Sequence, residues 1–219
     1  MDINVEKARY YMVEQQIRTW NVLNQQILDL ISASPREDYV SEPHRNLAYI
    51  DMSLPLGSDR YTLTPKLEAR ILQELTISAS DRILELGTAN GYLTSLLAKL
   101  GDHVYSLEPN AALLTLAENN LRSHQINNIT IKNGDLNNGW QEYKPFDVIV
   151  INGSIPQIPD ALCQALNING RLFAVTGSPP AMEAILVKRL GKNHFSRTTL
   201  FETDLPAFPQ ETEASQFVF

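Results

Sequence analysis

The feature that most constrains the fold is an alternation of short apolar runs and helical stretches that begins near Asp81. Five runs have the length and composition of buried strands: residues 83–86, 103–107, 128–131, 147–151 and 171–175. The stretches 92–100 and 111–121, which follow the first and second runs, have the pattern of helices. Strand, helix and strand at these intervals predict a parallel sheet with right-handed crossovers. The apolar runs 185–190 and 195–201 predict two antiparallel strands added at its edge.

The chain ahead of residue 77 has a different pattern. Apolar residues recur at helical spacing over 23–31, and the helix that they predict ends before Pro35 because the residue preceding a proline avoids the α region. Residues 67–75 predict a second helix. Between them, residues 45–65 are rich in turn formers and predict a long irregular segment, which is usually functional in a compact domain. The 219 residues favour one domain, with a helical part (1–76) and an α/β core (77–219).

Composition excludes several classes of function. Lys and Arg number 18 against 25 Asp and Glu, a net charge of -7, and no dense cationic stripe occurs, which disfavours a nucleic-acid binder. The longest aliphatic run, 148–151, is too short to cross a membrane, and the N-terminus has no apolar leader, so we expect a cytoplasmic protein. Cys163 is the one cysteine and the four histidines lack ligand spacing, so we predict neither an internal disulfide nor a metal site.

Candidate binding residues follow successive strands of the predicted sheet, where open α/β sheets bind ligands. The turn after the first strand contains Gly87 and Gly91, which let the backbone approach a ligand closely and face it with helix amides. Glu108 ends the second strand, where a carboxylate can accept both hydroxyls of an adenosine ribose. Asp135 follows the third strand and can lie beside an adenine amino group.

A dinucleotide site would share Gly87 and Glu108 but does not explain Glu85, whose charge would repel a pyrophosphate. A carboxylate there suits a ligand with an ammonium and a sulfonium group, which is S-adenosylmethionine. The turn that follows the fourth strand is expected to face the reacting methyl group. The predicted cofactor residues are therefore Glu85, Gly87, Thr88, Ala89, Asn90, Gly91, Glu108, Pro109, Asp135, Leu136, Asn152 and Gly153.

Ordered segments over most of the chain resemble the protein-L-isoaspartate O-methyltransferase family: MVEQQIR (12–18), SPREDYV (34–40), LAYIDMSLPLG (47–57), ILELGTANGY (83–92), VYSLE (104–108) and GDLNNGW (134–140). The resemblance implies a Rossmann-like methyltransferase fold with a mostly parallel seven-stranded sheet, helices on both faces and an N-terminal helical extension. It also implies S-adenosylmethionine as cofactor and methylation of L-isoaspartyl carboxyl groups in damaged proteins. We expect the chain to act as a monomer.

One departure from the family pattern falls in the loop before the core. The family carries TISQP there, and its serine is regarded as assisting methyl transfer, whereas this chain has YTLTP over 61–65 with Leu63 in the serine position. Neighbouring side chains in an extended segment point in opposite directions, so no adjacent hydroxyl replaces the serine without a backbone shift. The candidate catalytic residues are Tyr61, Thr62 and Thr64, and Asp59 and Arg60 lie in the same segment.

The loss of the serine bears more on which acceptor is methylated than on whether methyl transfer can occur. A carboxylate is already ionised near neutral pH, so its methylation needs in-line geometry and exclusion of water rather than a general base. Two alternatives stay open at this point: a methyltransferase with a different acceptor, and a module that binds S-adenosylmethionine without turnover.

Overall fold

The computed structural model describes residues 4–209, and their N-terminal part is helical. Helix α1 (Val5–Tyr11) continues into a π-helical turn, Met12–Ile17, and α2 spans Gln25–Ser32. Each α-helix begins at an asparagine, Asn4 or Asn24, whose side chain accepts a hydrogen bond from a first-turn amide. The predicted helix over 23–31 is confirmed.

The segment predicted to be irregular contains short regular elements. It forms 3₁₀ turns at Arg36–Tyr39 and Glu42–Leu47 and then a small antiparallel hairpin of β1 (Pro55–Gly57) and β2 (Arg60–Tyr61). The segment 45–65 is mostly irregular, as predicted, and the turns and the one strand pair satisfy part of its backbone. The predicted helix over 67–75 is confirmed as α3, Pro65–Leu75.

The main sheet has seven strands in the order β5-β4-β3-β6-β7-β8-β9. The first five of these pair in parallel, and β7, β8 and β9 pair antiparallel, as predicted. The strands are β3 (Arg82–Leu86), β4 (His103–Leu107), β5 (Ile129–Lys132), β6 (Phe146–Ile155), β7 (Leu166–Ser178), β8 (Ala181–Gly191) and β9 (His194–Glu202). Because β4 and β6 flank β3, the carboxyl ends of these three strands lie side by side.

Helices pack against the sheet, which separates two apolar layers. Helices α4 (Tyr92–Leu100) and α5 (Ala111–Ser123) follow β3 and β4, and α6 (Asp160–Gln164) contains the buried Cys163. Successive residues of a strand face opposite layers, and Ile83 belongs to one apolar cluster while Leu84 belongs to the other. The N-terminal helices pack into the first cluster. Within residues 4–209, no helix has the length and apolar character needed to cross a membrane.

Candidate active site

The loop after β3 forms a tight turn against the end of the neighbouring strand. The Gly87 amide donates to the Leu107 carbonyl at 2.8 Å, and the Gly91 amide donates to Thr88 at 2.9 Å. Gly87, Ala89 and Gly91 all have positive φ angles, and Ala89 at 54° is an L residue held in the left-handed region. A Cβ atom on Gly87 would lie 3.0 Å from the Asn152 carbonyl oxygen, so this turn requires glycine there.

The structure brings Glu108 to this loop, as the sequence predicts. The Glu108 side chain is 0% exposed. Its Oε2 accepts from the Ala89 amide at 2.9 Å, and its Oε1 accepts from the Asn110 amide at 3.1 Å. Oε1 also lies 3.4 Å from Nη1 of Arg60 on the hairpin. The carboxylate therefore lies between the glycine loop and the loop that departs from the family pattern, with Pro109 directly after it.

The predicted adenine carboxylate lies at the end of the third parallel strand. Asp135 Oδ1 accepts from the Asn137 amide at 2.6 Å and the Asn138 amide at 3.0 Å, which fixes the side chain in an Asx turn. These bonds use one oxygen and leave Oδ2 for a donor outside the turn. Leu136 is buried, and its carbonyl accepts from the Trp140 indole at 3.2 Å.

Glu85 lies beneath the glycine loop and is completely buried. Its Oε2 accepts from the hydroxyls of Thr94 at 2.5 Å and Ser106 at 2.6 Å, and Ser106 lies 2.6 Å from the Thr88 hydroxyl. Burial raises the pKa of Glu85 to about 8, although both hydroxyl bonds oppose the shift. The raised pKa favours the protonated carboxyl group, and Oε1 is a buried atom without a hydrogen-bond partner among the described residues.

The end of β6 differs from the prediction. Residues 152–154 were expected to form a turn after the fourth strand, but β6 continues to Ile155 with a register shift against β7 between Val150 and Ser154. This irregularity turns the Asn152 side chain toward the glycine loop, where Nδ2 donates to the Gly87 carbonyl at 2.9 Å. The expectation of a separate turn is wrong because the irregular strand keeps pairing beyond residue 151.

The C-terminal segment covers the same strand end, a feature that the sequence reasoning missed. The Ser154 amide donates to the Pro206 carbonyl at 2.9 Å, and the Phe208 amide donates to the Ser154 carbonyl at 2.8 Å. A Cβ atom on Gly153 would lie 2.9 Å from the Phe208 Cα atom, so only glycine allows this approach. The Phe208 ring also reaches Gly87. The glycine turn therefore has an aromatic cover, whereas residues 210–219 of the tail lie outside the described part of the chain.

The candidate catalytic side chains diverge in the structure. Tyr61 is 46% exposed, whereas Leu63 is 5% exposed and belongs to the larger apolar cluster. Thr62 is buried, and its Oγ1 accepts from the Leu54 amide at 3.0 Å, which ties it to the base of the hairpin. Thr64 precedes α3 as its N-cap residue. A catalytic role for Tyr61, Thr62 or Thr64 stays a prediction.

A buried ion pair supports the backbone of the segment that contains Leu63. Arg36 and Glu68 are paired, with side chains 2% and 4% exposed, and Arg36 Nη2 donates to the Leu63 carbonyl at 2.7 Å. The guanidinium also lies 5.0 Å from the Tyr92 ring centroid. Burial raises the pKa of Glu68 to about 7 against the opposing effect of Arg36. The sequence signal for the pair was available, because Glu68 falls on the apolar face of α3 between Leu67 and Ile71.

Comparison with known proteins identifies the family of this chain. The sequence profile of the family described as protein-L-isoaspartate(D-aspartate) O-methyltransferase matches residues 7–203. This chain belongs to that family. The protein-L-isoaspartate O-methyltransferase of Syntrophus aciditrophicus is 37% identical over 188 residues, covering 86% of each chain. That of Protochlamydia amoebophila is 36% identical over 179 residues, covering 82% of this chain and 84% of the relative.

Solved structures confirm the fold. A Plasmodium falciparum chain described as a protein-L-isoaspartate O-methyltransferase, in complex with S-adenosyl-L-homocysteine, superimposes with a TM-score of 0.81 at 18% identity. The superposition covers 95% of this chain and 99% of that one. The predicted family, the Rossmann-like methyltransferase fold and S-adenosylmethionine as the family's cofactor are thereby confirmed.

The residues present in this chain fit that cofactor. Glu108 provides a buried carboxylate beside the glycine loop, and a carboxylate can accept from the hydroxyls of a ribose diol. Asp135 has one oxygen that its turn does not use and that can accept from an amino group. Oε1 of Glu85, which has no hydrogen-bond partner within residues 4–209, is a further buried polar atom below the loop. The assignment of the individual cofactor residues stays a prediction from sequence, now with this geometry in its support.

Proposed function

We propose that this chain transfers a methyl group from S-adenosylmethionine to the free carboxylate of L-isoaspartyl residues in proteins, the activity that its family name states. The observation that carries the proposal is the position of Glu108, buried between the glycine loop and the hairpin at the carboxyl ends of the central strands. Glu108, the carboxylate that would bind the nucleoside, therefore contacts the hairpin that leads into residues 61–65. In the family pattern this segment contacts the methyl acceptor.

Residues at the ends of three strands would bind different parts of the cofactor. Glu108 would accept the ribose hydroxyls, Asp135 Oδ2 would accept from the adenine amino group, and the Gly87–Gly91 turn would hold the amino-acid part against the backbone. Asn152 fixes the turn by donating to the Gly87 carbonyl. Glu85 acts one layer below by holding Ser106, which in turn meets the Thr88 hydroxyl.

The methyl transfer itself does not require a general acid or a general base from the protein. When bound, the cofactor would supply a methyl group on a sulfonium: an acceptor carboxylate oxygen bonds to that methyl carbon as its bond to sulfur breaks, and S-adenosylhomocysteine is the leaving group. An isoaspartyl α-carboxylate has a pKa near 3.5 and is ionised at neutral pH, so no residue has to remove a proton. The protein's part is to orient the acceptor and exclude water. Leu63 and Phe208, both buried apolar side chains, suit a dry site without a hydroxyl in the serine position.

Transfer of label from S-adenosylmethionine to an isoaspartyl peptide, beside the same peptide with a normal aspartate, tests this function. We expect labelling of the isoaspartyl form alone. Glu108→Gln should abolish most labelling because an amide cannot accept both ribose hydroxyls through two oxygens. Glu202→Gln, an exposed position on β9, serves as the charge-matched control. Equal, negligible labelling of both peptides by the unaltered protein would refute the assignment.

We also propose that the chain forms one folding unit and works as a cytoplasmic monomer that does not bind nucleic acid. One apolar cluster unites Met12 and Ile31 of the N-terminal part with Val148 and Phe173 of the core, which supports a single unit. Sedimentation velocity across a hundredfold concentration range should give one species at the mass of one chain. A concentration-dependent shift to twice that mass would contradict the monomer.

A further inference from the structure

The ion pair between Arg60 and Glu108 joins the hairpin of residues 55–61 to the cofactor site. Arg60 Nη1 lies 3.4 Å from Glu108 Oε1, and the arginine side chain is 13% exposed. Among the hydrogen bonds and ion pairs of residues 4–209, this contact alone connects the outer part of the hairpin, residues 57–60, to the core. The outer part of the hairpin is thus tethered at the carboxylate that we assign to the ribose.

The base of the hairpin is held separately. The Thr62 amide donates to the Leu54 carbonyl at 2.9 Å, and Arg36 holds the Leu63 carbonyl at 2.7 Å. The outer part has open space beside it, because a cavity of about 380 Å³ separates Leu56 and Gly57 from Leu116 on α5. A segment fixed at its base, free on one side and tethered by one ion pair can move when that pair breaks.

The acceptor capacity of Glu108 makes the tether compete with the ribose. A carboxylate offers about four lone-pair positions, two on each oxygen. Ala89 takes one on Oε2, and Asn110 and Arg60 take two on Oε1, so one position is left for a further donor. A ribose diol that donates both hydroxyls needs two. The Ala89 and Asn110 amides belong to the loop and to the turn before α5, so Arg60 is the partner that can leave.

From this count we infer that cofactor binding displaces Arg60 from Glu108 and releases the outer part of the hairpin. The inference rests on the proposed cofactor role of Glu108. Arg60 is then a positioning residue: in the cofactor-free protein it holds the hairpin against the site, and in the cofactor-bound protein the hairpin, which leads directly into residues 61–64, is free to adjust to an acceptor. Cofactor occupancy and the position of residues 61–65, the acceptor loop, become coupled, which favours binding of the cofactor before the protein substrate.

Binding of S-adenosylhomocysteine to Arg60→Gln, measured by calorimetry, tests the displacement. Removing the competitor should tighten binding about threefold to fivefold, a modest gain because the two atoms of the pair are 3.4 Å apart and Arg60 keeps some contact with solvent. Arg197→Gln, an exposed position on β9, is the charge-matched control and should behave as the unaltered protein does.

Hydrogen exchange of residues 57–60 supplies a readout that is independent of activity. Deuterium uptake there should rise when S-adenosylhomocysteine is added to the unaltered protein, and it should be high with or without ligand in Arg60→Gln. Weaker binding by the variant, or protection of residues 57–60 by the ligand in the unaltered protein, would overturn the coupling while leaving the proposed function intact. Absence of any binding to the unaltered protein would overturn the proposed function and the coupling together.

Discussion

Replacing Arg36 with methionine removes every donor that holds the acceptor loop from below while keeping most of the side-chain volume. The guanidinium pairs with Glu68, donates to the Leu63 carbonyl at 2.7 Å and lies 3.5 Å from Thr62 Oγ1. Both side chains of the pair are almost fully buried. The substitution therefore leaves a carboxyl group and a carbonyl group without their donor in the interior.

The cost follows from the groups left behind. Breaking a buried ion pair by removing one partner costs about 3–5 kcal/mol when the other charge stays. Glu68 can escape the full penalty by protonation, because burial already raises its pKa to about 7 in the presence of Arg36. We therefore expect a loss of unfolding free energy of about 3 kcal/mol at pH 6.

The loss should grow with pH. Without Arg36 the folded-state pKa of Glu68 rises above about 7, so the variant's native state retains a proton that the unaltered protein releases above that pH. The unfolded states are alike, with a pKa near 4.3. Because its native state holds one more proton, the variant loses unfolding free energy relative to the unaltered protein. The loss is up to about 1.4 kcal/mol for each pH unit above 7. At pH 8 the cost should therefore exceed that at pH 6 by about 1 kcal/mol.

Urea unfolding at pH 6 and pH 8 measures both quantities, and a second variant, Arg36→Met with Glu68→Met, separates stability from loop position. The double variant buries no charge and should recover most of the lost stability. It should still transfer methyl groups at least about tenfold more slowly than the unaltered protein, because the Leu63 carbonyl has lost its donor and a small displacement near the reacting atoms is costly. Equal losses at the two pH values, or full activity of the double variant, would refute this reasoning.

Three further substitutions have defined outcomes. Leu63→Ser should cost about 2–3 kcal/mol in urea unfolding, since it empties a buried site, and should raise the methylation rate if the loop still presents position 63 to the acceptor; an unchanged or lower rate would contradict that. Glu85→Gln should remove the decline in stability between about pH 4.5 and 8, where native Glu85 keeps a proton that the unfolded chain has lost; an unaltered pH profile would contradict its raised pKa. Phe208→Ala should lower stability by about 3 kcal/mol and weaken S-adenosylhomocysteine binding, whereas Phe195→Ala, half-buried on β9, should not change that binding.

The strands and the tight glycine loop after β3 could be predicted because local patterns determine them. Each predicted strand of the sheet is an apolar run whose burial requires pairing with a neighbouring strand, so the order of elements along the chain limits the topology. The boundaries were less predictable. Strand β6 runs to Ile155 because Ser154 finds backbone partners in the C-terminal segment, about fifty residues away, and no local feature of the strand indicates that segment.

The acceptor loop shows why a motif read residue by residue is incomplete. The sequence identifies Leu63 as a lost hydroxyl, but the backbone at that position is held by Arg36, 27 residues earlier, and Arg36 in turn requires Glu68 on α3. A substitution at position 63 alone does not move this support, because the contact is made through the carbonyl and not through the side chain. The loop can therefore lose its serine and keep its place beside the cofactor site. For a reaction whose acceptor is already ionised, a held position preserves more of the catalysis than the hydroxyl would supply.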